Sequence, residues 1–168
     1  MDHTLVVLRT FHIVPAVFWT GSALFQSFVL EPALRRMGAE IEHAVMRSVN
    51  RVLGPTIMGA SALTIVFGFI LIGTTPDHGF AELFRDGWGL SIGIGMVATI
   101  LAAIAGGIAG FMSARLRQLL DRVDRGGVRS SEDYSMIDVL TSRVRTYNQV
   151  QALLLLVAVG TMAGARFV

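Results

Sequence analysis

LVVLRTFHIVPAVFWTGSALFQSFVLEPAL, from Leu5 to Leu34, is an apolar run broken only at wide intervals by Arg9, His12, Gln26 and Glu31. About 20 mostly apolar helical residues cross the ~30 Å hydrocarbon core of a bilayer. The run therefore predicts a transmembrane helix with length to spare for tilt or for emerging from the membrane. Pro32 and the pair Arg35-Arg36 mark its end. It has no basic leader and no small-residue cleavage site, and it carries His12, Trp19 and Gln26, so it reads as a retained span, not a targeting peptide.

Working outward, three more runs have the same character: about Val52 to Gly73, about Trp88 to Met112 and about Val144 to Ala163. The whole chain is 53% hydrophobic and only 15% charged over 168 residues, with a mean hydropathy of +0.62. A soluble domain rarely combines so few charges with so much apolar area. The expectation is a single all-α domain, an integral membrane four-helix bundle running up-down-up-down, with loops at 35–51 and 113–143. Ala114 to Val123 keeps a helical pattern past the membrane edge, and Ser130-Ser131-Glu132-Asp133 starts a further helical piece. Phe80 to Phe84 reads as a short interfacial helix on the opposite side, anchored by Phe80, Phe84 and Trp88.

The arginines orient the bundle. Arg35, Arg36, Arg47 and Arg51 lie in the first long loop, and Arg115, Arg117, Arg122, Arg125, Arg129, Arg143 and Arg145 lie in and around the second. Arg85 and Arg166 face the other way, with Arg9 near the outer end of the first span. By the positive-inside rule both termini face outward and the two arginine-rich loops are cytoplasmic. All 14 basic residues are arginine, a habit of GC-rich bacterial genomes, which places the chain in a bacterial plasma (inner) membrane. The basic excess needs no nucleic-acid partner.

Several chemistries are excluded. Without cysteine there is no disulfide, thiolate ligand or Cys nucleophile, and without lysine there is no Schiff base. HExxH, P-loop and GxSxG motifs are absent, and Gly93-Ile94-Gly95 sits inside an apolar span, not after a strand. The spans also lack the acidic residues expected of an ion-driven pump.

What remains is polar chemistry inside the first span. Steps of seven residues lead from His12 to Trp19 to Gln26, each returning to within about 20° of the same direction on a helix. Such a stripe is costly in lipid and faces the bundle. Two readings are open for it: hydrogen bonds to neighbouring helices, or a ligand role for His12. A neutral imidazole at that depth can bind haem iron or copper, or relay a proton. No second axial histidine is evident: His3 and His78 are in outer segments and His43 is cytoplasmic. Met58 and Met96 read as packing.

Two further groupings stand out. The third span carries Gly89, Gly93, Gly95, Gly106, Gly107 and Gly110, a pattern that serves close helix packing, room for a porphyrin, quinone or lipid tail, or a dimer interface. At the cytoplasmic edge Glu31, Asn50, Arg51, Arg145, Tyr147, Asn148, Gln149 and Gln151 gather. They read as interfacial anchors and mutual pairs, or as a polar-head site in which Arg51 or Arg145 meets an anion such as a porphyrin propionate.

The run from Arg9 to Arg36 resembles the opening of small bacterial membrane proteins related to the copper-resistance CopD family. The resemblance rests on His12, Trp19-Thr20-Gly21, Phe25, Phe28 and Pro32-Ala33-Leu34, with Arg51-Val52-Leu53-Gly54-Pro55 less specific. Similar four-span proteins include the HemJ-type protoporphyrinogen oxidases, in which a first-span histidine is associated with haem b. That resemblance implies haem b on His12; the stripe and the polar edge add Trp19, Gln26, Arg51 and Arg145 as candidate cofactor-binding residues. The lysine that accompanies the histidine in that oxidase family has no counterpart here.

The sequence thus leads to a haem-b-associated membrane protein, in electron transfer or porphyrin handling, with His12 as axial ligand. One alternative is a cofactor-free accessory subunit of a larger respiratory or photosynthetic complex, or a homo-oligomer. Another is copper handling through His12 and His78, joined by His3.

Overall fold

A computed structural model describes residues 3–74, 79–125 and 131–167. Among them every regular element is helical. The first helix comprises α1 (His3–Phe25), a π-helical turn (Gln26–Leu30) and α2 (Glu31–Arg35). It is followed by α3 (Ala39–Thr74), α4 (Gly87–Asp124) and α5 (Ser131–Gly164), which closes with a 3-10 turn over Ala165–Phe167. Four helices are long and apolar enough to cross a membrane: His3–Arg35, Ala39–Thr74, Gly87–Arg122 and Ser131–Phe167.

The helices run well past the apolar stretches. The segment expected as a first long loop is mostly helix: α3 begins at Ala39, and only a short turn precedes it. That turn ends on Gly38, whose φ of +103° suits a residue without Cβ, and the Gly38 N–H donates to the Arg35 carbonyl at 3.3 Å. Glu40 and Glu42 lie in the first turn of α3, where the helix dipole favours negative charge. Hydropathy cannot register such a helix, because its exposed face carries the charges. The second expected loop likewise divides into the ends of α4 and α5. Gly126, Gly127 and Ser130 lie outside the described residues.

Cross-contacts give the directions. Gln26 and Asn50 meet, as do His12 and the Thr64 carbonyl, so α1 and α3 are antiparallel. Gly106 meets Gln151 and Gly95 meets Thr161 and Met162, so α4 and α5 are antiparallel too. These two hairpins are the extensive contacts of the bundle, and α1 joins them by packing on α5. By contrast α3 and α4 touch little. The core at the junction is made of Trp19, Ala23, Ala60, Ala102, Ala152 and Leu155, one indole among small side chains. Without a hydrophobic drive between helices in lipid, such small residues let backbones approach for dispersion contact.

The glycines of α4 divide by task. Gly89 sits under the Glu82 carbonyl and Gly93 under the Phe84 ring, 2.5 Å from where a Cβ would stand. Both therefore pack the linker, not a neighbouring helix. Phe84 holds a φ of +69° and delivers its ring there. Asp86 caps α4, its carboxylate accepting from the Gly89 N–H at 2.6 Å. The expected interfacial helix is a 3-10 turn, Phe80–Glu82, with the Phe80 ring stacked on Phe69. Gly95 and Gly106 serve the α4–α5 contact: a Cβ on Gly106 would stand 2.8 Å from Gln151 Cδ. A Cβ on Gly107 or Gly110 would meet nothing within 4 Å.

Neighbouring substitutions should therefore behave differently. Gly106→Leu is expected to cost about 1–3 kcal/mol by overpacking. Gly107→Leu should stay within about 0.5 kcal/mol of the parent. Thermal melting of the detergent-solubilised variants, followed by circular dichroism, checks both.

Candidate functional site

The π-turn organises the polar residues of the first helix. Pro32 has no N–H to give the ladder, and the Glu31 N–H bonds to the Gln26 carbonyl, five residues back. In a regular α-helix Glu31 would lie about 140° round from Gln26. The wider turn returns it to the same side, so Gln26, Ser27, Glu31 and Leu34 are all buried. With Trp19, Thr20 and Ala23 they form a continuous buried face.

Each polar member of that face finds a different helix. Asn148 Nδ2 donates to Glu31 Oε1 at 2.9 Å, from α5. Gln26 Nε2 donates to Asn50 Oδ1 of α3 at 3.5 Å, the outer limit for a hydrogen bond. Further toward that end, Arg145 Nη2 donates to Glu42 Oε1 at 2.9 Å and Arg47 pairs with Asp121 at 3.2 Å. These pairs tie α5 to α3 and α3 to α4. Glu31, Glu42, Asn50 and Arg145 also line a small cavity of about 60 Å³.

A larger cleft of about 410 Å³ lies between α3 and α4. Its walls are Gly54, Pro55, Ile57 and Met58 on one side and Ala103, Gly106, Gly107 and Gly110 on the other. Trp19, Gln26, Ser27, Asn148 and Gln151 form its floor. Trp19 is 1% and Ser27 2% exposed, and neither Trp19 Nε1 nor Ser27 Oγ has a hydrogen-bond partner among the described residues. The volume is in the range of small-molecule sites.

His12 is elsewhere. It is half-buried against α3, its Nδ1 lying 2.8 Å from the Thr64 carbonyl oxygen. Gly68 makes room for the ring, since a Cβ there would lie 3.0 Å from His12 Cε1. A carbonyl only accepts, so Nδ1 is the donor in this contact. His12 and Gln26 are about 21 Å apart along the helix.

The residues expected to share one cofactor site therefore separate into two places. Trp19 and Gln26 line the cleft; His12 does not. Arg145 is paired with Glu42 near the Glu31 end, and Arg51 is exposed on α3. Arg51, next to the Gln26 partner Asn50, is thirteen residues from the His12 partner Thr64, about 20 Å along α3. His78 lies outside the described residues. Among those residues no three His, Cys, Asp or Glu side chains gather as a metal site.

Reading the sequence missed Thr64 and Gly68, which orient His12, and Glu42, which lay in a supposed loop. It also missed Ser27, although its place beside Gln26 was a usable signal. No family model, curated protein or solved structure matches the chain.

Removing Arg145 leaves Glu42, 9% exposed, without its cation. Arg145→Ala should cost about 2 kcal/mol, and the double change with Glu42→Ala should cost less than the sum of the two single changes. A double-mutant cycle on detergent melting measures the coupling.

Proposed function

We propose that the protein is a multi-pass protein of the bacterial inner membrane, both termini outside, that binds haem b through His12 and serves electron transfer or porphyrin handling. The observation that carries this reading is the contact of His12 Nδ1 with the Thr64 carbonyl at 2.8 Å. A hydrogen bond from the second ring nitrogen to a carbonyl is the usual support of a metal-bound histidine: it fixes the tautomer, aims the ring and raises ligand basicity. Nε2 is then the ligating atom. It is the ring nitrogen that the Thr64 carbonyl does not engage. A haem so held would supply one-electron chemistry. Arg9, exposed three residues before His12 and one turn away on the same helix, is the arginine placed to meet a propionate.

The orientation follows from charge. Arg35, Arg36, Arg47, Arg51, Arg115, Arg117, Arg122, Arg143 and Arg145 all lie toward one end of the bundle, and moving them across a membrane is unfavourable.

The purified protein should show a Soret band that disappears in His12→Ala while the fold, followed by circular dichroism, persists. A colourless, folded, metal-free preparation would contradict the haem reading and leave the accessory-subunit one. The chain has no cysteine, so single cysteines report topology cleanly. Thr4→Cys should react with a membrane-impermeant maleimide in spheroplasts, and Ser131→Cys only after permeabilisation; the reverse pattern would invert the assignment.

A further inference from the structure

His12 reaches the Thr64 carbonyl through a gap at position 68. In an α-helix a main-chain carbonyl takes the N–H four residues on. Because Cα–Cβ bonds tilt toward the N-terminus, the side chains three and four residues on stand beside that carbonyl. For Thr64 these are residues 67 and 68. Phe67 lays its ring on that of Phe11, the centroids 5.2 Å apart. Gly68 has no side chain, and the imidazole takes the space: a Cβ there would stand 3.0 Å from His12 Cε1 and 3.2 Å from Nδ1. The other glycines of α3 are not used in this way. A Cβ on Gly54 or Gly59 would meet nothing within 4 Å, and one on Gly73 would make an ordinary contact with Phe80 at 3.8 Å.

We propose that Gly68 is the positioning residue of the His12 site: lacking a Cβ, it seats the imidazole on the Thr64 carbonyl and so sets how firmly Nε2 holds the haem iron. The inference rests on the haem reading above and adds to it a residue that has no ligating or polar side chain. The hydrogen bond at 2.8 Å is accepted by the main chain, so no side chain at position 64 can remove it. Position 68 is where a side chain acts on it. The ring also has little freedom to escape. Phe11 is stacked on Phe67 while its neighbour His12 bonds to Thr64, so α1 cannot turn away from α3 here without giving up the stack. A methyl group at 68 must therefore be met by the ring itself, which gives by a few tenths of an ångström and lengthens the hydrogen bond. The branched carbons of valine reach further into the ring's place and take Nδ1 off the carbonyl. A weaker bond from Nδ1 makes the imidazole a less basic ligand. That disfavours the ferric ion relative to the ferrous one and raises the midpoint potential.

The test uses the full-length protein in lipid nanodiscs, loaded with haem b and followed by absorption and redox titration. Gly68→Ala should keep the Soret band and raise the midpoint potential. Gly68→Val should weaken haem binding about ten- to a hundredfold, the usual effect of losing such a support. Gly59→Ala, on the same helix with nothing within 4 Å of the added Cβ, should leave both unchanged, which separates seating from the helix propensity of alanine. A mere packing fault would lower stability and leave the potential where it is, so the potential is the deciding readout. Circular dichroism shows whether each variant is folded, and if Gly68→Val is not, the potential of Gly68→Ala decides alone. A coloured parent whose potential is indifferent to Gly68→Ala overturns the inference and leaves the haem reading standing. A parent that takes up no haem overturns both.

Discussion

Hydrocarbon offers no water to His12, Gln26 or Glu31, so each must be met by another helix. His12 is met by the Thr64 carbonyl, Gln26 by Asn50 and Glu31 by Asn148. The first two partners lie on α3 and the third on α5. One helix thereby ties the two hairpins together, with the buried Trp19 indole at the junction. Were those polar groups replaced by leucine, the small-residue contacts of α4 with α5 would remain, but little would specify where α1 and α3 sit against that pair.

The same constraint explains the π-turn. Proline at position 32 breaks the hydrogen-bond ladder, and a regular helix would then present Gln26 and Glu31 to different surroundings. Widening one turn keeps both inside, at the local cost of less ideal hydrogen bonding. Beyond this level the ionic pairs Arg145–Glu42 and Arg47–Asp121 take over, where the helix ends approach water and charges can be kept. Between the ionic end and the His12 level, α3 and α4 have no comparable tie among the described residues, and the cleft opens there.

Much of the frame was legible beforehand, because a bilayer imposes length and hydropathy on every span. The four crossings, the inward stripe and the continuation of the third span came from period and composition alone. Helix ends carrying charges, such as Ala39 to Arg51, were not legible as helix, since hydropathy reads charge as loop. Sites fared differently. The step of seven from His12 to Gln26 identified a common face correctly but suggested one site, whereas about 21 Å of rise divides it into two. The partners of His12 were out of reach: one is a main-chain carbonyl and the other a glycine, and neither leaves a signal in side-chain chemistry. Ser27 was within reach, four residues after Ala23, whereas the return of Glu31 to the side of Gln26 depends on the π-turn, which a 3.6-residue period does not anticipate.

The direct test of this inward polar face is its accessibility, residue by residue. Spin labels at single cysteines from position 11 to position 34, with the protein in lipid bilayers, would be read by power saturation with oxygen. The account predicts minima at 19, 20, 23, 26, 27, 31 and 34 and maxima at Val17, Phe18, Phe25, Phe28 and Val29. High oxygen accessibility at 19, 26 and 31 would contradict it.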